Sequence, residues 1–254
     1  MDNAGEKGKL ERLFFNLKHN SEYLNWGRDI IVQKTLEYSQ KGAGEDLKIL
    51  DIGMGWGTDL INIRQSLKGP KLMLFGVECF KPYIDAATYN GVQVFTIDLE
   101  KQPIPLPDRS CDIVIANQII EHTKEIFWVL GEISRVLKTG GIAIVGMQNL
   151  AALHNRLLLL GGKQPTCIKP LSEHVRGFTK PAFERFIESG GYFKLTSVSG
   201  SNFYPFPLKM SRVLSRYLPT LSTALFYVIE RTPREGNYVS ILESNFYETP
   251  YFKG

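Results

Sequence analysis

The chain has 254 residues, of which 43% are hydrophobic and 22% are charged, and its net charge is +4. This length allows one large domain with a sizeable core, and the composition is ordinary for a globular protein. No apolar run approaches the roughly 20 residues that span a bilayer, and the polar N-terminus lacks the apolar core of a signal peptide.

The first part of the chain alternates strands and helices. Residues 1–45 predict a helical cap (Leu10–His19, then Tyr23–Ser39), and residues 46–147 predict the central α/β unit. Because its strands are apolar throughout, the pattern indicates a doubly wound, mostly parallel sheet that is covered on both faces. The predicted strands are Leu47–Ile52, Lys71–Val77, Val92–Ile97, Cys111–Asn117 and Gly141–Met147. The predicted helices are Thr58–Leu67, Pro82–Asn90 and Lys124–Leu137, the last stopped by Thr139-Gly140-Gly141.

The rhythm changes after residue 147. Residues 148–190 predict a helical segment that acts as a substrate lid, with helices over Leu150–Leu160 and from Thr179 to Ser189. Residues 191–230 predict the last strand pair, Tyr192–Val198 and Leu225–Ile229, with a helical insertion over 201–224. Residues 231–254 form a tail without a clear period, and its role is left open.

The insertion 203-FYPFPLKMSRVLSRYLPTLS-222 predicts an amphipathic, basic helix. It lies in a region, residues 151–220, that has ten Lys/Arg against three Glu. Such a helix suits an anionic membrane surface or a lipid-like, phosphorylated or glycan-like acceptor. The alternative is that its apolar face packs on the domain. That face comprises Met210, Val213, Leu214, Tyr217, Leu218 and Leu221, and Lys209, Arg212, Ser215 and Arg216 lie opposite.

The stretch 47-LKILDIGMGWGTDLINI-63 joins a strand to a helix through three alternating glycines. Glycine permits a tight turn and lets the backbone N–H groups of a helix N-terminus approach a ligand. Glu78 ends the next strand 21 residues after Gly57, where a ribose-binding carboxylate is expected. Loop and acid together predict a nucleotide-like cofactor.

The spacing of the loop indicates which cofactor. The dinucleotide fingerprint is G-x-G-x-x-G, whereas this loop is G-x-G-x-G, and Asp51 lies two residues before the first glycine. A carboxylate there suits a cationic amino-acid group better than a pyrophosphate. The run Asp51-Ile52-Gly53-Met54-Gly55-Trp56-Gly57 resembles the first motif of class I S-adenosylmethionine-dependent methyltransferases, in particular the small-molecule, type 11-like subgroup.

The resemblance extends from about Leu47 to Gly146, and 132-EISRVLKTGGIAIVG-146 is similar to the family's helix and fifth strand, with Thr139 where proline is commoner. It implies a Rossmann-like, seven-stranded sheet with an antiparallel last strand pair. It also implies S-adenosylmethionine as cofactor and S-adenosylhomocysteine as product. In such an enzyme Glu78 would hold the ribose, Asp98 and Leu99 would border the adenine, and Asn117 would line the sulfonium end. The implied cofactor-binding set is Asp51, Gly53, Gly55, Gly57, Glu78, Asp98, Leu99 and Asn117.

The sequence also contains candidates for catalysis and substrate binding. A hydroxyl acceptor usually needs a base. His122, after the fourth predicted strand, is one candidate, with a structural or cofactor-edge role as its alternative. His174 is the other, and its alternative is a loop histidine bound to the backbone. Arg176 and His154 are candidates for substrate binding, although His154 also fits a surface or core position.

The acceptor is predicted partly from missing features. The segment 116-ANQII-120 lacks the Asn/Asp-Pro-Pro-Tyr/Phe element of enzymes that methylate planar nitrogens, and no RNA-binding module is evident. The three cysteines, at positions 79, 111 and 167, have no ligand spacing, so we expect free thiols and no metal site.

We predict a cytoplasmic enzyme that methylates a small molecule, preferably a hydroxyl of a sugar or of a lipid- or phosphate-linked intermediate. Peripheral contact with a membrane stays open, nucleic acid is not favoured, and the oligomeric state is not predicted. Three alternatives stay open: a NAD-dependent oxidoreductase, a non-catalytic S-adenosylmethionine-binding protein, and an RNA methyltransferase.

Overall fold

The computed structural model describes residues 27–42 and 46–244. The predicted helix Leu10–His19 and the start of Tyr23–Ser39 lie outside these residues. The strands are β1 (Asp46–Ile52), β2 (Lys71–Val77), β3 (Gln93–Phe95), β4 (Cys111–Asn117), β5 (Leu137–Gln148), β6 (Phe193–Ser201) and β7 (Ala224–Arg231). The helices are α1 (Arg28–Gln40), α2 (Thr58–Ser66), α3 (Lys81–Tyr89), α4 (Ile126–Val136), α5 (Leu153–Leu160), α6 (Lys180–Glu188), α7 (Leu208–Tyr217) and the short α8 (Ile241–Ser244).

The strands form one seven-stranded sheet in the order β3-β2-β1-β4-β5-β7-β6. Strands β1 to β5 are parallel to one another, and β7 runs antiparallel to both β5 and β6. The predicted fold class is therefore confirmed. This order differs from the 3-2-1-4-5-6 arrangement of dinucleotide-binding folds, because an antiparallel strand is inserted before the last strand.

Both faces of the sheet are covered, as the apolar strands require. Side chains alternate along β1, so that Leu50 and Ile52 pack with α4 and α6 on one face while Leu47 and Ile49 pack on the other. Ile31 of α1, Leu60 of α2 and Ala87 of α3 belong to that second core. The parallel strands thus end at one edge, where the loops after β1, β2, β3 and β4 meet.

Several predicted boundaries differ from the structure, most clearly those around Leu137 and those of β3. Helix α4 ends at Val136, before Thr139-Gly140-Gly141, because the chain already enters the sheet at Leu137, which pairs with Cys111 of β4. The backbone N–H of Ser110 donates to the carbonyl of Val136 at 2.9 Å and extends this pairing. Strand β3 covers only Gln93–Phe95 of the predicted Val92–Ile97.

The orientation of α7 is the reverse of a helix that packs its apolar face on the domain. Met210, Val213 and Tyr217 are 50%, 57% and 74% exposed, whereas Ser211 and Ser215 are buried. The Ser211 hydroxyl is bonded to both the N–H and the carbonyl of Phe203. Small serine side chains let the helix approach β6 closely, where an added Cβ at Gly200 would lie 2.9 Å from the Ser215 carbonyl. An apolar, solvent-facing stripe results.

Candidate functional site

The glycine loop after β1 leaves open space at the edge of the sheet. Gly53, Gly55 and Gly57 have φ angles of 66°, 52° and 71°, in the left-handed region that favours glycine. A Cβ at Gly53 would lie 2.8 Å from the Ile119 side chain, and one at Gly57 would lie 3.3 Å from Ala87. A Cβ at Gly55 would meet no protein atom within 4 Å. The outer two glycines therefore allow close packing, and Gly55 exposes backbone to a ligand.

A buried carboxylate lies below this loop. Asp51 in β1 is 1% exposed, and its Oδ2 has no hydrogen-bond partner among the described residues. Burial, followed by repulsion from Asp59, raises the pKa of Asp51 well above its usual value, and Arg28 opposes this shift. Asp59 itself is compensated, since Arg28 lies 2.8 Å away and Asn117 Nδ2 donates to it at 3.0 Å. Asn117 Oδ1 also has no partner among the described residues. Asp51 Oδ2 and Asn117 Oδ1 are therefore two buried oxygens that could accept hydrogen bonds from a ligand.

Glu78 connects two of the loops at this edge. Its carboxylate accepts hydrogen bonds from the backbone N–H groups of Gly55, Cys79 and Phe80 at 3.0, 2.8 and 3.0 Å. The acid therefore lies against the glycine loop, as its position after β2 predicts. These three hydrogen bonds orient the carboxylate and, through Gly55, link the glycine loop to the loop after β2.

Asp98 and Leu99 follow β3, and Asp98 borders an open cleft of about 680 Å³ that Trp128 also lines. The Asp98 carboxylate accepts from Lys101 Nζ at 2.7 Å and from the Glu100 N–H at 3.1 Å, and these bonds lower its pKa. The Leu99 carbonyl accepts from Trp128 Nε1 at 3.2 Å. Trp128, which the sequence pattern did not single out, lines this cleft beside Asp98.

An aromatic ridge flanks the same loops and was also missed. Trp56 and Phe80 are 55% and 54% exposed, and Tyr83 lies between them with ring centroids 4.6 and 4.9 Å away. The available signal was the position of Trp56 inside the glycine loop. Exposed rings beside an open backbone provide a flat apolar surface for a ligand.

His122 and His174 meet although they lie 52 positions apart. Their rings are edge to face, with centroids 4.6 Å apart. Glu121 joins them, because one ligand atom from each of the three side chains lies within 4.8 Å of the others. Burial raises the pKa of Glu121 to about 7 against the opposing effect of the nearby Glu121 and Gln148 backbone. Burial, and then His174, lowers the pKa of His122.

Arg176 and His154 do not share the ring contact that joins His122 and His174. The Arg176 guanidinium donates to the carbonyls of Thr123 and Lys124 at 3.1 and 2.8 Å, so it holds the loop after β4. His154 in α5 lies 2.9 Å from the Thr166 hydroxyl through Nε2 and packs edge to face on Tyr204. It is not part of the Glu121 cluster, and substrate binding by either residue stays a prediction.

Residues 50–145 match the family model described as a methyltransferase domain. The ubiquinone/menaquinone biosynthesis C-methyltransferase UbiE of Campylobacter jejuni is 32% identical over 128 residues, which cover 48% of this chain and 54% of that protein. The tRNA N(3)-cytidine methyltransferase METTL2 of Danio rerio is 23% identical over 201 residues, which cover 71% of this chain and 54% of that protein. The chain thus spans about half the length of these curated relatives.

A solved structure, a SAM-dependent methyltransferase from Archaeoglobus fulgidus, has the same fold. It aligns with a TM-score of 0.56 at 16% identity, over 87% of this chain and 99% of that one. At this level of identity the likeness concerns the fold alone.

Proposed function

We propose that this chain, of which residues 50–145 match the methyltransferase-domain model, is a class I S-adenosylmethionine-dependent methyltransferase that transfers a methyl group to a hydroxyl oxygen of a small molecule. The observation that carries this proposal is the buried Asp51 carboxylate, whose Oδ2 has no partner among the described residues, below a glycine loop that is open at Gly55. S-adenosylmethionine supplies a methyl group that its sulfonium has already activated. The protein therefore has to bind the cofactor and the acceptor, orient them towards each other and exclude water.

The residues at the sheet edge fit this cofactor. Its ammonium group needs acceptors, and Asp51 Oδ2 and Asn117 Oδ1 are buried acceptors that lack partners among the described residues. Filling them would compensate two desolvated oxygens. Glu78 would hold the ribose hydroxyls, and Asp98 and Leu99 would border the adenine, Asp98 from the cleft that Trp128 lines.

Proton removal from the acceptor is the step for which this chain has candidate groups. A hydroxyl must lose its proton as its oxygen is methylated, and neutral imidazole is a suitable acceptor. His122 and His174 lie next to each other on the loop after β4 and on the lid segment. The β4 loop adjoins the glycine loop, since Ile119 packs where a Cβ of Gly53 would lie. We therefore propose that this pair faces the acceptor.

The solvent-facing side of α7 supports a lipid- or phosphate-linked acceptor, or a sugar carried on one. Met210, Val213 and Tyr217 form an exposed apolar stripe, and Arg212 and Arg216 are exposed beside it. A helix of this kind binds an anionic bilayer surface by burying the stripe among the headgroups. No helix among residues 27–42 and 46–244 is long and apolar enough to cross a bilayer.

Replacing Val213 and Tyr217 together with aspartate is expected to weaken binding to anionic vesicles at least 10-fold. The change removes the apolar anchor and adds negative charge on a face that makes few contacts with the domain, so stability should change little. Cosedimentation with vesicles of phosphatidylcholine and phosphatidylglycerol measures it. Leu171→Asp, at a fully exposed leucine of the lid segment, is the matched control. Wild type that does not sediment, or a double variant that sediments equally well, would contradict the membrane contact.

The enzymatic proposal is tested with labelled S-adenosylmethionine and pools of sugar, lipid-linked and phosphorylated acceptors. We expect S-adenosylhomocysteine release that depends on one pool, with the label in a base-stable ether. Cofactor binding without turnover on any pool would favour the non-catalytic alternative instead.

RNA is a second candidate acceptor, for which the similarity to a tRNA N(3)-cytidine methyltransferase is the specific observation. The ten Lys/Arg of residues 151–220 agree with it. Binding of tRNA that weakens steeply between 50 and 200 mM salt, followed by label in the RNA, would support this acceptor over a small molecule.

A further inference from the structure

The cluster of Glu121, His122 and His174 has the composition of a metal site. It combines one carboxylate with two imidazoles, whose ligand atoms lie within 4.8 Å of one another. Ligands at about 2.0–2.1 Å from one tetrahedral Zn²⁺ lie roughly 3.4 Å apart, so the side chains need to close by only about 1.4 Å at most. Small rotations about the side-chain bonds supply such a movement.

Glu121 is the member of this cluster whose surroundings most clearly favour a bound cation. The residue is 4% exposed, and no side chain of the described residues donates to its carboxylate; the backbone of Glu121 and Gln148 lies near enough to lower its pKa but makes no well-formed hydrogen bond to either oxygen. No Lys or Arg pairs with it in that part of the chain, although buried carboxylates are ordinarily paired or bound to a metal. A cation between Glu121 and the two imidazoles would compensate its desolvation.

His174 is oriented as a ligand by a further contact. Its Nδ1 lies 2.7 Å from the carbonyl oxygen of Cys167. A carbonyl only accepts, so Nδ1 carries the proton and the lone pair is on Nε2. Metal-bound histidines characteristically donate their other N–H to a carbonyl or carboxylate in this way.

The two segments that carry the cluster are tied together by their backbones. The N–H of Val175 donates to the carbonyl of Glu121 at 2.9 Å. Arg176, the next residue, binds the carbonyls of Thr123 and Lys124. These bonds position His174 over Glu121 and His122 before any cation binds, which lowers the cost of organising a site.

We propose that Glu121, His122 and His174 bind a divalent transition-metal cation of the Zn²⁺ or Fe²⁺ class. Two imidazoles favour such metals over Mg²⁺ or Ca²⁺, and three protein ligands leave a coordination position open for an exogenous oxygen. The assignment runs against the expectation of no metal from the cysteine spacing, because none of the three ligands is a cysteine. The proposal that a cation binds here rests on the geometry of the three side chains and does not depend on the proposed function.

The role of the cation in the reaction rests on the proposed function. An acceptor hydroxyl in the open position would have its pKa lowered, and its proton would pass to solvent before methylation. In the metal-bound protein the histidines would act as ligands instead of accepting the proton, and the acceptor would be held at the loop after β4 by its oxygen.

The test is a titration of the chelator-treated full chain with ZnCl₂, and in a separate arm with CoCl₂. Wild type should bind one equivalent with micromolar or tighter Kd, and Co²⁺ should give the visible absorption of a four- or five-coordinate ion. Glu121→Gln and His174→Ala should each weaken binding at least 100-fold. His154→Ala, which removes a histidine outside the cluster, should bind as wild type does.

Melting curves with and without Zn²⁺ keep the test valid if a variant is less stable, because the cation should raise the melting temperature of wild type and of His154→Ala only. Wild type that binds less than a molar equivalent, or cluster variants that bind as well as wild type, would overturn the site. S-adenosylhomocysteine binding by the same samples is measured in parallel. Its absence would count against the methyltransferase proposal and leave the metal result standing.

Discussion

Replacing Gly55 with alanine is expected to weaken S-adenosylhomocysteine binding about 100-fold, equivalent to roughly 2.8 kcal/mol. A Cβ at this position meets no protein atom within 4 Å, so it extends into the space where a ligand approaches the loop. Gly55 also has a φ of 52°, and an alanine held there costs about 1–2 kcal/mol of stability. The variant should therefore fold, melt somewhat earlier and bind the ligand poorly. Calorimetric titration measures the affinity, and circular dichroism the stability.

Gly162→Ala separates backbone strain from the loss of ligand space. Gly162 has a φ of 66° and, like Gly55, would place its Cβ in open space, but it follows α5 rather than β1. We expect a similar loss of stability and unchanged affinity. Equal affinity in both variants would show that Gly55 does not lie against the ligand.

Replacing Asp51 with asparagine is expected to stabilise the folded chain by about 1–2 kcal/mol while weakening S-adenosylhomocysteine binding at least 10-fold. The raised pKa of Asp51 means that its ionised form costs stability in the folded state. This cost is absent below the unfolded pKa, grows as the pH rises toward the folded pKa and is complete above it. The neutral amide removes the cost, and it also removes the charge that attracts an ammonium group.

Thermal unfolding at pH 7 and pH 4 tests this trade of stability for binding. The melting temperature of the variant should exceed that of wild type by a few degrees at pH 7, and the gap should narrow at pH 4. Asp85→Asn, at an exposed carboxylate paired with Lys81, should change neither property. A less stable Asp51→Asn variant with unchanged affinity would assign the carboxylate a structural role.

The central sheet could be predicted because its signals are local. Apolar strands such as β2 and β4 match their predicted ranges, since full burial on both faces leaves an uninterrupted apolar run. The glycine loop and Glu78 could be predicted for the same reason, because each directly follows a strand whose end is clear in the sequence. The boundary at Leu137 could not, since it depends on pairing with Cys111 at the start of β4.

Features that depend on contacts between distant parts of the chain could not be predicted from the sequence. The apolar face of α7 would normally be assigned to the core, but the close approach to Gly200 buries Ser211 and Ser215 instead. Glu121 joins His174 only because the lid segment bonds to the loop after β4. That Asp51 Oδ2 has no partner among the described residues likewise depends on how the neighbouring Asp59, Arg28 and Asn117 pair with one another.

The central claim is that the open loop at the sheet edge binds S-adenosylmethionine, and a calorimetric titration tests it most directly. Wild type is titrated with S-adenosylhomocysteine and, separately, with NAD. We expect micromolar binding of S-adenosylhomocysteine and no measurable binding of NAD. The Glu78→Ala variant should lose about 1 kcal/mol or more of the binding free energy of S-adenosylhomocysteine. Binding of NAD alone would contradict it and return the oxidoreductase alternative.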